Sequence, residues 1–214
     1  MTSEIRVPSS ILRLLCDSVI DNLGEKSLRL LFTQAGLQPY YSGGPLPPPD
    51  DTPSLTLDEL NRLFATAFNV FGERGVRPIL LRAGRGVAQH FRETNRTLAT
   101  LAGAAFRVLP ADAKIKLVLR RAANIGEESL HMPHQTYDTP EGYFVEIRDS
   151  LYAKGIAAQR PVCYFPVGFY GEIVRWATGT NHAVEEVECI AASGQVCRFR
   201  VARQPAATGP EAAG

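Results

Sequence analysis

Apolar residues recur at helical spacing over most of the first 130 positions, and strand-like runs take over after that. Ser9 or Ser10 is placed to cap a first helix, whose Ile11, Leu12, Leu15, Val19 and Leu23 fall along one face. Gly24 interrupts it, and a second amphipathic run carrying Leu28, Leu31, Phe32 and Ala35 stops at Gly36. Thr56 followed by Glu59 is a capping box that opens a third helix bearing Leu60, Leu63, Phe64, Ala67 and Phe71. Gly72-Glu73-Arg74-Gly75 is read as a turn, with Pro78 in the first turn of the continuation. Gly84 and Gly86 inside that continuation cost about 1 kcal/mol each relative to alanine, and they point to close approach of another backbone. An alanine-rich helical run covers 97–106, and a further amphipathic helix starts at Pro110–Asp112 with Ile115, Val118, Leu119 and Ala122 opposite Lys114, Lys116 and Arg120.

The second part of the chain changes period. Thr136 to Ile147 predicts a hairpin about Pro140-Glu141-Gly142. A helix follows from about Pro166 to Ala177 and ends at Gly179, while Leu151 to Gln159 fits neither template. Val184 to Cys189 and Cys197 to Val201 flank a Ser193-Gly194 turn, which gives a second hairpin with one cysteine on each strand. Strict alternation puts Val187, Cys189 and Ala191 on one face of the first strand and Cys197, Phe199 and Val201 on one face of the second. The Pro- and Gly-rich stretch 42–54 reads as a mobile surface loop, and 204–214 as a disordered tail. The expected architecture is one domain over 1–203 of the α+β class, with helices packed on a twisted antiparallel sheet.

Charge narrows the partners. Lys and Arg number 23 against 22 Asp and Glu, so there is no bulk attraction for nucleic acid, and none is expected as a partner. Arg82, Arg85 and Arg92 read as a solvated helix face. The N-terminus has no apolar signal core and no stretch approaches the roughly 20 apolar residues of a membrane span, which leads to a cytoplasmic expectation. Four cysteines without a secretory signal favour thiols or a metal over disulfides.

Cys163, Cys189 and Cys197 form the strongest chemical signal. Three thiolates bind zinc tetrahedrally if Glu185, Glu186, Glu188 or His182 adds a fourth bond. Alternation favours Glu185, a bulge favours Glu186, and three reduced core cysteines are the alternative. Cys16 reads as a small buried hydrophobe. His90, His131 and His134 are candidates for ligating the metal centre of a bound tetrapyrrole, and Arg85 is counted with them as a ligand contact. Gly84-Arg85-Gly86 lacks the third glycine of a dinucleotide fingerprint, and neither a Walker loop nor a nucleophile elbow is present.

Glu186, Cys189, Gly194, Cys197 and Phe199, with Cys163 ahead of Pro166-Val167-Gly168-Phe169 and Trp176-Ala177-Thr178-Gly179, resemble the closing signature of the 4-vinyl reductase domain family. Pro8-Ser9-Ser10-Ile11-Leu12, Gly72-Glu73-Arg74-Gly75 and Arg82-Ala83-Gly84-Arg85 are similar to the branch found in bacteriochlorophyll biosynthesis. The resemblance implies a fold shared with nitric-oxide-signalling and transport-particle domains. It also implies zinc held by Cys163, Glu186, Cys189 and Cys197; these fill all four positions, so the zinc is structural. The implied function is carriage of a tetrapyrrole intermediate, of the Mg-protoporphyrin or chlorophyllide type, between pathway enzymes. Magnesium chelatase or the following methyltransferase are the implied partners, with room for a homodimer and for a place at the edge of the photosynthetic membrane. The alternatives are an 8-vinyl reductase or its accessory subunit, for which no hydride-donor motif is present, and a ligand-sensing module. The chain departs from the family at Tyr152-Ala153-Lys154-Gly155-Ile156, where relatives carry a cysteine and a tryptophan, so the pocket rim is expected to differ.

Overall fold

The computed structural model describes residues 5–94 and 104–206. Pro8 is extended (φ −60°, ψ 147°) and hands a short strand, β1 (Arg6–Pro8), directly to helix α1 (Ser9–Leu23). Ser9 and Ser10 do not cap α1, contrary to the reading above: both are already helical, and their backbone N–H groups bond to the carbonyls of Thr52 and Asp50 at 2.8 Å. The orphan amides of the first turn are thus met by the proline-rich segment itself. Pro53 and Ser54, read as the end of a loop, belong instead to β2 (Pro53–Thr56), which pairs antiparallel with β1. Cys16 is fully buried in the helical core, in keeping with the hydrophobe reading.

Helix α2 (Glu25–Gln34) follows the break at Gly24, and β2 runs straight into α3 (Leu57–Thr94). The capping box is made: the Thr56 N–H donates to Glu59 Oε2 at 2.9 Å and the Glu59 N–H to Thr56 Oγ1 at 3.1 Å. Thr56→Ala is expected to cost about 1 kcal/mol in urea unfolding, the usual worth of such a cap. Gly72, at φ 66° and ψ 169°, breaks α3 without ending it, so the turn expected over 72–75 shrinks to one residue. Pro78 lies beyond the first turn after the break, inside the helix.

Most of the helix expected over 97–106 falls outside the described residues; α4 (Ala104–Arg107) is its visible end. Helix α5 (Ala111–Leu130) buries Ile115, Val118, Leu119 and Ala122 and stops at His131, a left-handed cap at φ 49°. Strands β3 (His134–Thr139) and β4 (Gly142–Ile147) make the predicted hairpin, with Thr139 opposite Gly142 across Pro140-Glu141. After irregular turns come α6 (Tyr164–Thr178), closed by Gly179 at φ 75°, then β5 (His182–Glu188) and β6 (Cys197–Pro205). Residues 204 and 205, assigned above to the tail, are therefore strand.

The four long strands form one antiparallel sheet in the order β3-β4-β6-β5. With the helices beside it, the α+β architecture expected from the sequence is the one found. Its register slips between Glu186 and Glu188, where these oppose Phe199 and Arg198 on β6. That irregularity corrects the alternation argument: Val187 is 44% exposed while Cys189, two residues on, is 1% exposed. Helices α3 and α6 cross in backbone contact. A methyl group built at Gly84 would sit 2.1 Å from the Phe165 carbonyl oxygen, and one at Gly168 would sit 2.2 Å from that of Leu81. Close packing is thus what Gly84 serves. Among the described residues, no helix is long and apolar enough to cross a membrane.

Candidate metal centre and ligand cavity

Cys163 immediately precedes α6, Cys197 opens β6, and Cys189 leaves β5 just past the slipped register. The slip turns Glu186 inward beside them. One ligand atom from each of Cys163, Glu186, Cys189 and Cys197 lies within 4.8 Å of all the others. The sulfurs of Cys163 are 3.7 Å from Cys189 and 3.6 Å from Cys197, and the last pair stands at 4.0 Å. A tetrahedral ion with Zn–S bonds of about 2.3 Å spaces its sulfurs by about 3.8 Å, which is the spacing seen. All four cysteines are free thiols.

The carboxylate alternatives separate cleanly. Glu186 Oε2 accepts the Cys163 N–H at 2.7 Å, and its Oε1 is buried without a hydrogen bond. An orphaned carboxylate oxygen facing three sulfurs is the expected position of a metal bond, because buried polar atoms otherwise find partners. Glu185 instead pairs with Arg200, Glu188 pairs with Arg198 at 2.8 Å, and His182 Nδ1 lies 2.8 Å from the Ala202 carbonyl. The residues present fit a small tetrahedral dication.

Without an ion the cluster is electrostatically costly. Burial pushes the Cys163 thiol well above its ordinary range and raises Glu186 to about 8. Hydrogen bonds from Cys163 and Cys197 hold Cys189 far down as a thiolate, so the cluster concentrates its charge on one sulfur. The connecting loop is tight: the Gly194 N–H bonds to the Cys189 carbonyl at 2.8 Å, and a methyl group at Gly194 would lie 2.7 Å from that oxygen.

Behind α6 lies an apolar cavity of about 250 Å³. Both halves of α3 reach it, through Leu60 and Phe64 before the break and Val87 and Phe91 after it. Helix α6 contributes Phe165, Phe169 and Tyr170; α1 and α5 close the remaining sides. No Asp, Glu, Lys or Arg is among the lining residues.

Of the ligand candidates, His134 lines this cavity. Its Nδ1 is 2.6 Å from the Met132 carbonyl oxygen, so Nδ1 carries the proton and Nε2 keeps a free lone pair. The ring lies against Gly126, where an added methyl group would come within 2.4 Å of it. Burial lowers its pKa, which keeps the imidazole neutral at neutral pH. His131 is an exposed cap, His90 sits on α3, and Arg85 borders a separate surface groove with Glu172 and Arg175. None of these three lines the cavity. Tyr152 and Tyr170 do, and sequence reasoning passed over both. Tyr170 carries a usable signal, a hydroxyl on the face of α6 that also holds Pro166 and Ile173.

The protein's solved neighbours share this arrangement of elements. The Fe(II) unliganded H-NOX protein from K. algicida superposes with a TM-score of 0.57 at 13% identity, over 94% of this chain and 99% of that one. A structure solved to probe heme distortion in the H-NOX family gives 0.54 at 14% identity, over 93% and 96%. The phenol-responsive sensory domain of the transcription activator PoxR, solved with phenol, gives 0.50 at 18% identity, over 69% and 74%. At these identities the likeness shows the fold, which is the nitric-oxide-signalling fold expected from the sequence. No curated protein matches the chain. The family model of the 4-vinyl reductase domain matches residues 143–203, a stretch that contains all four residues of the cluster, and it is to the 4-vinyl reductase domain family that this stretch belongs.

Proposed function

We propose that this protein is a small-molecule-binding module that holds a flat apolar ligand in its cavity, with zinc at Cys163, Glu186, Cys189 and Cys197 as a structural clamp. The observation that carries this is the apolar cavity whose main wall, α6, begins next to Cys163. An apolar cavity of about 150 Å³ takes up benzene. At about 250 Å³ this one has room for one or two fused rings. Zinc would tie the start of α6 to the hairpin of β5 and β6, which fixes that wall against the sheet.

The bacteriochlorophyll resemblance supports a tetrapyrrole intermediate as the carried ligand. Two observations agree with it. His134 has its Nδ1–H committed to a carbonyl, the arrangement that orients metal-ligating imidazoles. The fold is also that of H-NOX domains, whose heme distortion is the subject of one of the structures above. Four pyrrole rings exceed the present cavity, so α3 and α5 must part to admit them. A ligand-sensing role is the second reading, and the one- to two-ring size of the cavity favours it.

Absorbance titration with Mg-protoporphyrin, run beside displacement of a fluorescent apolar probe by naphthalene, tests the proposal. A shifted pigment band at micromolar protein supports the tetrapyrrole reading, and displacement by naphthalene alone supports the smaller-ligand reading. If neither occurs, the binding function is wrong. The clamp is tested separately by metal analysis, with about one equivalent of zinc per chain expected after mild purification. Zinc must displace protons from the thiols and the carboxyl group, so its affinity is expected to fall about 100-fold or more from pH 7 to pH 6, measured by competition with a chromophoric chelator.

A further inference from the structure

Three polar groups open onto the cavity without a protein partner. The Tyr170 side chain is buried, with the residue only 3% exposed, and its ring packs edge-on against Phe169 at 5.7 Å between centroids. Tyr152 stacks on Phe165 at 5.2 Å. Neither hydroxyl makes a hydrogen bond with any described residue, and neither belongs to the partnerless polar atoms sealed from accessible space, which are Ser10 Oγ, Arg121 Nε, Ser150 Oγ and Glu186 Oε1. Each phenol oxygen therefore faces open space, and the cavity that both rings line supplies it. The third group is His134 Nε2, an acceptor because Nδ1 holds the proton.

A hydroxyl buried in apolar surroundings without a partner is costly, and proteins seldom keep two in one cavity without a use for them. Burial raises the pKa of both tyrosines, so they are neutral donors at physiological pH. The lining has no charged residue to pair with an ionised ligand, and an unpaired charge there would carry a heavy desolvation penalty.

Resting on the binding reading above, we propose that the cavity selects an uncharged ring compound. Its carbonyl- or quinone-type oxygen accepts from Tyr152 and Tyr170, and its hydroxyl or N–H donates to His134 Nε2. The pattern of donors and acceptor sets specificity, while the apolar walls supply most of the affinity.

The test is displacement of a fluorescent apolar probe by naphthalene, 2-naphthol and 2-acetylnaphthalene, from the wild-type protein and from Tyr170→Phe, Tyr152→Phe and His134→Asn. Both substituted naphthalenes are expected to bind about tenfold more tightly than naphthalene, the worth of one buried hydrogen bond. Each Tyr→Phe change should erase the advantage of 2-acetylnaphthalene and leave most of that of 2-naphthol; His134→Asn, which keeps a donor for the Met132 carbonyl, should do the reverse. Melting temperatures of the Phe variants should hold or rise, because each removes a partnerless hydroxyl and keeps the ring. Equal binding of the three compounds, or variants that change none of them, overturns this inference and leaves the cavity reading standing. Failure of all three to displace the probe overturns both.

Discussion

Cys189→Ser is expected to empty the metal site and lower the melting temperature by about 10 °C or more. Serine keeps the size but not the thiolate, and Cys189 is the sulfur on which the cluster's hydrogen bonds concentrate charge. A loss of metal affinity of about 1,000-fold removes about 4 kcal/mol of linked stability at saturating zinc. For a chain of 214 residues each kcal/mol moves the midpoint by about 2–4 °C. Zinc content and thermal melts with and without chelator measure both effects together. Glu185→Gln is the matched control: its carboxylate pairs with Arg200 at the surface, so zinc content and melting should stay within error. A Cys189→Ser protein that keeps a full equivalent of zinc and the wild-type midpoint would remove the clamp from the account.

Gly168→Ala is expected to cost at least about 3 kcal/mol, or abolish soluble expression, although it adds only one methyl group. Overpacking normally costs about 1–3 kcal/mol because side chains can shift. Here the new carbon would meet the Leu81 carbonyl oxygen at 2.2 Å and the Leu81 carbonyl carbon at 2.9 Å, and backbone cannot rotate away. Helices α3 and α6 would have to separate, which opens the cavity wall between them. Gly84→Ala meets the mirror situation at the Phe165 carbonyl and should behave alike. Gly171→Ala, on the same helix as Gly168, touches only the side chain of Val184 at 3.9 Å and should be tolerated. Chemical denaturation of the three variants would show the contrast, and equal midpoints would mean the crossing is not tight in solution.

The helical half was largely legible because its signals are local. Thr56 and Glu59 bond to each other as their spacing requires, and the apolar faces of α1, α2 and α5 are the buried ones. Ser9 and Ser10 misled because the partners of their amides, Thr52 and Asp50, are remote in sequence and lie in a segment whose prolines argued against any pairing. The cluster was legible in its cysteines, but alternation alone pointed to Glu185. A register slip cannot be read from residue types, so the fourth position followed from the resemblance to a family and then from the geometry. The cavity was the least legible part. His131 and His134 are close in sequence, yet one ends α5 in solvent and the other begins β3 inside, a difference made by the left-handed turn at His131. Tyr152 and Tyr170 come from unrelated segments that meet only in the folded chain.

The break at Gly72 has a geometric consequence for enclosure. A straight helix of 38 residues would be about 57 Å long, a rod that can pass a small cavity only once. Broken at a residue that adopts φ 66° without strain, the same helix changes direction and lends two walls, Phe64 on one arm and Phe91 on the other. The angle between those arms sets the width of the chamber, so one backbone torsion outside the metal cluster governs how large a guest can enter.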